Sequence, residues 1–176
     1  MRYNYQIEIE YDGSNFVGWQ FQKNGVSIQE IIERNLKKVL RNKIRIIGAG
    51  RTDKGVHALG QRANFFIDKK IENEREFLKS INFFLKKKQI SIIHIKKKKL
   101  NFNSRYDAIE RIYRYKIVNR KSNLIIDLNR AWHVQKKLDL NLFKKGANFL
   151  IGKHDFSTFR SASCSAKSPI KKMNSI

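Results

Sequence analysis

The order in which the apolar spacing switches period constrains this chain most. Tyr3, Tyr5, Ile7, Ile9 and Tyr11 alternate with polar residues, which predicts a strand with one buried face. Asp12-Gly13 ends it. Ser27 with Glu30 makes a capping box, and Ile28, Ile31, Ile32, Leu36, Val39 and Leu40 continue as a helical stripe. Residues 44–47 predict a second strand and residues 61–67 a third. Asn73 with Glu76 marks a second capped start, followed by the apolar face Phe77, Leu78, Ile81, Phe84 and Leu85. Ile90, Ile92, Ile93 and Ile95 predict a fourth strand. Strand, helix, strand, strand, helix, strand is the ferredoxin-like (RRM-like) order, an α+β fold with helices on one face of an antiparallel sheet.

A second part follows a composition shift at residues 97–104, which contain neither proline nor glycine. Residues 112–118 alternate as a strand, with Tyr113 and Tyr115 on one side of it. Residues 131–134 suit another strand. Asp139 caps a helix carrying Leu142, Phe143, Ala147, Phe149 and Leu150, with Gly152 as its stop. Ser168-Pro169-Ile170 enters a further strand. This is about half of a second unit. The expected architecture is an N-terminal ferredoxin-like half over 1–98 and an incomplete C-terminal half over 99–176. The two would form one continuous, mostly antiparallel sheet with a basic cleft across it. An unfinished sheet leaves an unpaired edge and unburied apolar surface, so the chain is expected to be a fragment or to stop early.

Lysine and arginine number 38 against 15 acids, a formal charge of +23. That excess favours a polyanionic partner, because each phosphate contact releases counterions. Lysine-rich solvated faces at Lys69-Lys70, Lys86-Lys87-Lys88 and Lys96-Lys97-Lys98-Lys99 would account for part of it. Cys164 is the single cysteine, so neither an internal disulfide nor a cysteine metal site can form. Its expected role is that of a small buried residue in a reducing compartment. There is no signal-peptide core, and no apolar run approaches the ~20 residues of a bilayer span. The chain reads as soluble and cytoplasmic.

Chemistry concentrates in Gly48-Ala-Gly-Arg-Thr-Asp-Lys-Gly-Val-His-Ala58. Asp53 stands between glycines, next to Arg51, in a loop held by strand-like sequence on both sides. Such a loop presents a reactive group on a rigid scaffold. Its carboxylate is the one candidate nucleophile or base there. Gly50 and Gly55 have P-loop spacing, but Val56 and His57 stand where Lys and Ser or Thr are needed. His57, His94, His133 and His154 lack zinc-site spacing. His154-Asp155 has no nucleophile context that would make it an acid–base pair.

Taken together, these segments resemble the bacterial tRNA pseudouridine synthase A family. Tyr11-Asp-Gly-Ser-Asn-Phe-Val-Gly-Trp-Gln20 is similar to its opening motif, and Gly50-Arg-Thr-Asp-Lys-Gly-Val-His-Ala58 with Gly60-Gln61 to its active-site motif. Phe102-Asn-Ser-Arg105, Arg111-Ile-Tyr-Arg-Tyr115, Gly152-Lys-His-Asp-Phe-Ser-Thr-Phe159 and Ser168-Pro169 follow in the family's order. The resemblance implies isomerisation of uridine to pseudouridine in the tRNA anticodon stem-loop, at positions 38, 39 and 40. It implies Asp53 as nucleophile, Arg51 as the arginine that flips and holds the base, and Tyr113 as the tyrosine stacked on it. From the residues alone, Arg51 is also a plain ion-pair partner for Asp53 and Tyr113 a core aromatic. Trp19 and Gln20 read as loop packing and hydrogen bonding.

No cofactor or metal is expected. The family commonly works as a homodimer, with one tRNA contacting both subunits. Its members continue past Ile176, and the continuation supplies a basic partner for the nucleophile and apolar pocket residues. The resemblance therefore implies little or no turnover by the chain as given. The competing functions are a catalytically inactive fragment, a non-catalytic RNA-binding module of the same topology and a small basic ribonucleoprotein component. The aromatic signature of such RNA-binding modules is not found on the third strand.

Overall fold

The alternation at the start becomes a nine-residue strand, β1 (Tyr3–Tyr11), with Tyr5, Ile7, Ile9 and Tyr11 buried. The structure is a computed structural model and describes residues 1–160, 166 and 168–176. Cys164 lies outside the described residues. Helix α1 (Ile28–Leu40) begins where the capping box places it: the Ser27 hydroxyl accepts the Glu30 amide at 3.2 Å. Glu30 in the first turn and Lys37 and Lys38 in the last complement the helix dipole. Helix α2 (Glu74–Leu85) is capped by Asn73, whose side chain accepts the Glu76 amide at 3.1 Å.

Strands β2 (Ile46–Gly48), β3 (Ala58–Ile67) and β4 (Ile90–Lys98) complete a four-stranded sheet in the order β2-β3-β1-β4. All three pairings are antiparallel. β3 starts three residues earlier than the alternation suggests, so the glycine loop is short and held at both ends. Along β4 the buried residues are Ile90, Ile92 and Ile95, which a strict two-residue period forbids. The register explains them: Glu8 faces His94 while Ile9 faces Ile92, so Ile93 is a bulge residue that resets the phase.

One core cluster joins Ile28, Ile31, Ile32 and Leu36 of α1 and Phe77, Ile81 and Leu85 of α2 to the Tyr5–Ile7–Ile9–Phe65 face of the sheet. The helices therefore cover that face. Ile32 is fully buried, and Ile32→Ala is expected to cost about 2–5 kcal/mol through lost transfer energy and a residual cavity. Urea titration followed by circular dichroism would show the loss as a lowered midpoint with an unchanged slope.

The opposite face is polar, and residues 99–107 dock on part of it. Asn4 Nδ2 donates to the carbonyls of Lys99 at 3.0 Å and Phe102 at 2.8 Å. Asn64 Nδ2 donates to Asn4 Oδ1 at 3.0 Å, and Asn64 Oδ1 accepts the Ser104 amide at 2.8 Å. Both asparagines are fully buried, and these bonds offset the cost of burying them.

The described residues divide into two compact units, Met1–Tyr113 and Arg114–Ile176. In the second, β5 (Ile117–Asn119) pairs parallel with β6 (Trp132–Val134), and β7 (Gly152–Asp155) antiparallel with β8 (Ile170–Met173). Helix α3 (Leu140–Asn148) is capped by Asp139, whose Oδ1 accepts the Asn141 and Leu142 amides at 2.8 and 3.1 Å. Two expectations are corrected. The strand over 112–118 reduces to Ile117–Asn119, because alternation forms a strand only where a neighbour pairs it, and Ile112, Tyr113 and Tyr115 are exposed. Gly152 does not stop the helix, which ends at Asn148; with φ +111° it opens β7 instead. Among the described residues the first unit holds the four-stranded sheet and the second holds two two-stranded sheets.

Leu124 is the one buried apolar residue described in the second unit, whereas the first holds a continuous core. Segments with few buried contacts open at little free-energy cost. Limited trypsin digestion is expected to cut within 114–176 first and to leave a resistant fragment ending near residue 113. Equal resistance of both units would contradict this.

No helix among the described residues is long and apolar enough to cross a membrane.

Candidate active site

The loop between β2 and β3 is closed at its mouth by strand-like bonds. The Ala49 amide donates to the Arg62 carbonyl at 2.7 Å, one residue past the β2 ladder. Gln61 Nε2 donates to the Gly50 carbonyl at 3.0 Å. At its tip the Val56 amide donates to the Asp53 carbonyl at 3.2 Å, making a turn that needs φ +79° at Gly55.

The β1–α1 connection braces this loop from below. The Trp19 amide donates to the Thr52 carbonyl at 2.9 Å, and the Tyr11 hydroxyl and Thr52 Oγ1 are 2.8 Å apart. Burial pushes the Tyr11 phenol up, and hydrogen bonds with Thr52 and Gln61 pull the other way. The Trp19 indole lies against Gly48 so closely that an added Cβ would sit 2.6 Å from its Nε1. Trp19 is buried, as loop packing requires, and Gln20 is exposed. His57 Nδ1 lies 3.1 Å from Asp12 Oδ1 and 3.2 Å from the Gly13 amide. One ring nitrogen can serve only one of them at a time: it accepts from Gly13 when bare and donates to Asp12 when protonated.

A Cβ on Gly13 would fall 1.9 Å from the Val56 carbonyl oxygen. Backbone, not a movable side chain, is in the way. Gly13→Ala is expected to cost about 1–3 kcal/mol by overpacking, and to speed amide exchange across 53–57. Thermal melts and exchange mass spectrometry would check both effects.

Asp53 projects from the braced loop and is exposed. Among the described residues its carboxylate has no ion pair, and the Arg51–Asp53 pair that adjacency permits is not formed. Arg51 and Lys54 flank it, both exposed. The arrangement is an unpaired carboxylate on a rigid base with cations alongside. Chemically it can attack an electrophilic carbon or take a proton, and it can receive an anionic substrate.

Tyr113 closes the first unit and is 64% exposed; Tyr115 opens onto solvent in the second. Neither lies on a strand, so sheet geometry does not choose between them. Arg111, to which the sequence reading gave no role, is bonded into the loop. Its Nε and Nη2 donate to the Ala49 carbonyl at 3.1 and 2.7 Å. Its only signal in the sequence was its place in the segment 111–115. His154 and Asp155 turn to different partners: His154 Nε2 meets the Ile151 carbonyl at 2.9 Å, and Asp155 Oδ1 accepts the Ser157 hydroxyl and amide. The Ser157 bonds hold the Asp155 carboxyl below its ordinary value.

The profile of a family described as tRNA pseudouridine synthase matches residues 7–107, the stretch that builds the braced loop. The tRNA pseudouridine synthase A of Pelagibacter ubique is 52% identical over 174 residues, spanning 99% of this chain and 71% of that protein. That of Parvibaculum lavamentivorans is 41% identical over 172 residues, spanning 98% and 70%. That of Anaplasma phagocytophilum is 41% identical over 175 residues, again spanning 98% and 70%.

Proposed function

This chain belongs to the tRNA pseudouridine synthase family, and from that membership we propose that it isomerises uridine to pseudouridine in tRNA. The observation that carries the proposal is the Asp53 carboxylate, without an ion pair among the described residues, on a loop braced by the β1–α1 connection, inside the matched stretch. In the proposed reaction the Asp53 carboxylate bonds ribose C1′ as the bond from C1′ to uracil N1 breaks. The uracil turns, and C5 forms the new bond to C1′ as the bond from C1′ to Asp53 breaks, which frees the carboxylate. The hydrogen on C5 leaves to solvent, and N1 gains one, so the nucleoside keeps its formula. The step balances without an oxidant or a second substrate.

We place the substrate in the anticodon stem-loop, at positions 38, 39 and 40. A base in a stem must be flipped out, which costs a few kcal/mol. Arg51 is proposed to hold the flipped base, since a planar guanidinium can stack on a base or grip phosphate. Tyr113 is proposed to stack on it, worth about 1–3 kcal/mol. The charge of +23 supports binding of the tRNA backbone. We also propose that the full-length enzyme is a cytoplasmic homodimer in which a ferredoxin-like half over 1–98 shares one sheet with a second half, incomplete over 99–176. The strand–helix–strand–strand–helix–strand order of the first unit supports the first half.

The test is to incubate an unmodified tRNA transcript with the chain and map pseudouridine by carbodiimide adducts that stop primer extension. Pseudouridine made by the chain is expected as new stops at positions 38–40, at the low level that the family resemblance implies for the chain as given. Stops confined to other regions of the tRNA would reject the substrate site, and absence of any would reject turnover by this chain.

A further inference from the structure

We infer that Arg111 is a positioning residue that fixes the Asp53 loop against the segment bearing Tyr113. The inference rests on reading Asp53 as nucleophile and Tyr113 as the stacking ring. The Arg111 guanidinium satisfies two carbonyls at once: Ala49, through Nε at 3.1 Å and Nη2 at 2.7 Å, and Arg105, through Nη2 at 3.0 Å. Ala49 stands four residues before Asp53, and Arg111 two residues before Tyr113. Arg105 follows Ser104, whose amide is anchored on buried Asn64 of β3. One planar group therefore ties the base of the loop, the docked 99–107 turn and the Tyr113 segment together.

Residue Ala49 is held on both sides, since its amide already donates to the Arg62 carbonyl at 2.7 Å. The guanidinium also lies along the next residue: a Cβ on Gly50 would be 3.7 Å from Arg111 Nε, ordinary contact distance. This use of arginine is geometric. Its donors form a rigid fork that meets two carbonyls in set directions, whereas a lysine ammonium carries the same charge without a plane. A misplacement of about 1 Å between reacting groups costs about 100-fold in rate, so the fork matters to kcat more than to binding.

The test uses the whole chain, Arg111→Lys and Arg111→Ala. Three quantities are read on each: amide exchange of the peptides covering 48–58, tRNA turnover with kcat and KM separated, and recovery of Arg111→Ala by added guanidinium ion. Arg111→Lys is expected to speed exchange across the loop by about tenfold or more while the β1 and β3 amides keep their protection. It is expected to lower kcat by about 10–100-fold with KM changed less than about twofold, and guanidinium is expected to restore part of the Arg111→Ala loss. Loop exchange equal to that of the unsubstituted chain would overturn the inference, whether or not the chain turns over. So would an unchanged kcat with a raised KM, which would make Arg111 a phosphate contact. The functional reading fails separately, if the unsubstituted chain and Asp53→Ala treat tRNA alike; loop exchange decides the clamp even then.

Discussion

Asp53→Ala and Asp53→Asn are each expected to lower the isomerisation rate by about 10,000-fold or more relative to the unsubstituted chain, the scale set by removing a nucleophile from its supporting site. Asparagine keeps the shape of the side chain and loses only the anionic oxygen, so an equal loss in both variants would identify the charge and lone pair as the requirement. Stability is expected to move by less than about 0.5 kcal/mol, because the carboxylate is exposed and has no ion pair among the described residues. tRNA affinity is expected to hold or rise slightly, since the substitution removes a negative charge from a chain of net +23. Tritium release from tRNA labelled at uracil C5 reads the chemistry, because the C5 hydrogen leaves to solvent only when the new bond forms. Filter binding at fixed salt reads the affinity. A rate loss below about tenfold would leave Asp53 an electrostatic role and reject it as the nucleophile.

The first unit was legible because its signals are local and agree with one another. Ser27 and Asn73 sit at helix starts, apolar residues recur at helical spacing behind them, and β1 alternates without interruption. Where a signal depended on a partner elsewhere in the chain, it misled. The alternation through 112–116 predicts a strand, yet strand pairing begins only at Ile117. Ile93 reads as part of an apolar run and is the residue that shifts the β4 register. In the site, glycine content pointed to the loop that carries Asp53. It did not show that Gly13 and Gly18 serve that same loop from a connection more than 30 residues earlier. Their role comes from close approach, a Cβ on Gly18 lying 2.7 Å from the Thr52 carbonyl oxygen, and close approach across the chain leaves no spacing to read. Arg111 was hidden for a similar reason, since bonds to carbonyls leave no trace in the identity of the residues accepting them.

Asn64→Leu is the substitution expected to damage stability most for its size. By alternation Asn64 belongs to the polar face of β3, where an asparagine attracts no notice, yet it is fully buried beneath residues 99–107. Leucine branches at the same carbon with the same number of side-chain heavy atoms and would suit a buried strand position, so a purely apolar account predicts gain. The hydrogen bonds predict the reverse. Asn64 Oδ1 is the acceptor for the Ser104 amide at 2.8 Å, and Asn64 Nδ2 donates to Asn4 Oδ1 at 3.0 Å. Removing both leaves a buried backbone donor and a buried side-chain acceptor without those partners, at about 1–3 kcal/mol each. The expected total is about 2–5 kcal/mol, seen as a lowered urea midpoint. The damage should also reach the site: with Ser104 released, the Arg105 carbonyl is no longer held for Arg111, and exchange across the Asp53 loop should rise with that of the 99–107 turn. Asn64→Asp keeps an acceptor for Ser104 but loses the donor, so it should protect the turn better than leucine does. If leucine stabilises the chain, the asparagine pair is replaceable packing, and the docking of the 99–107 turn is held by other contacts.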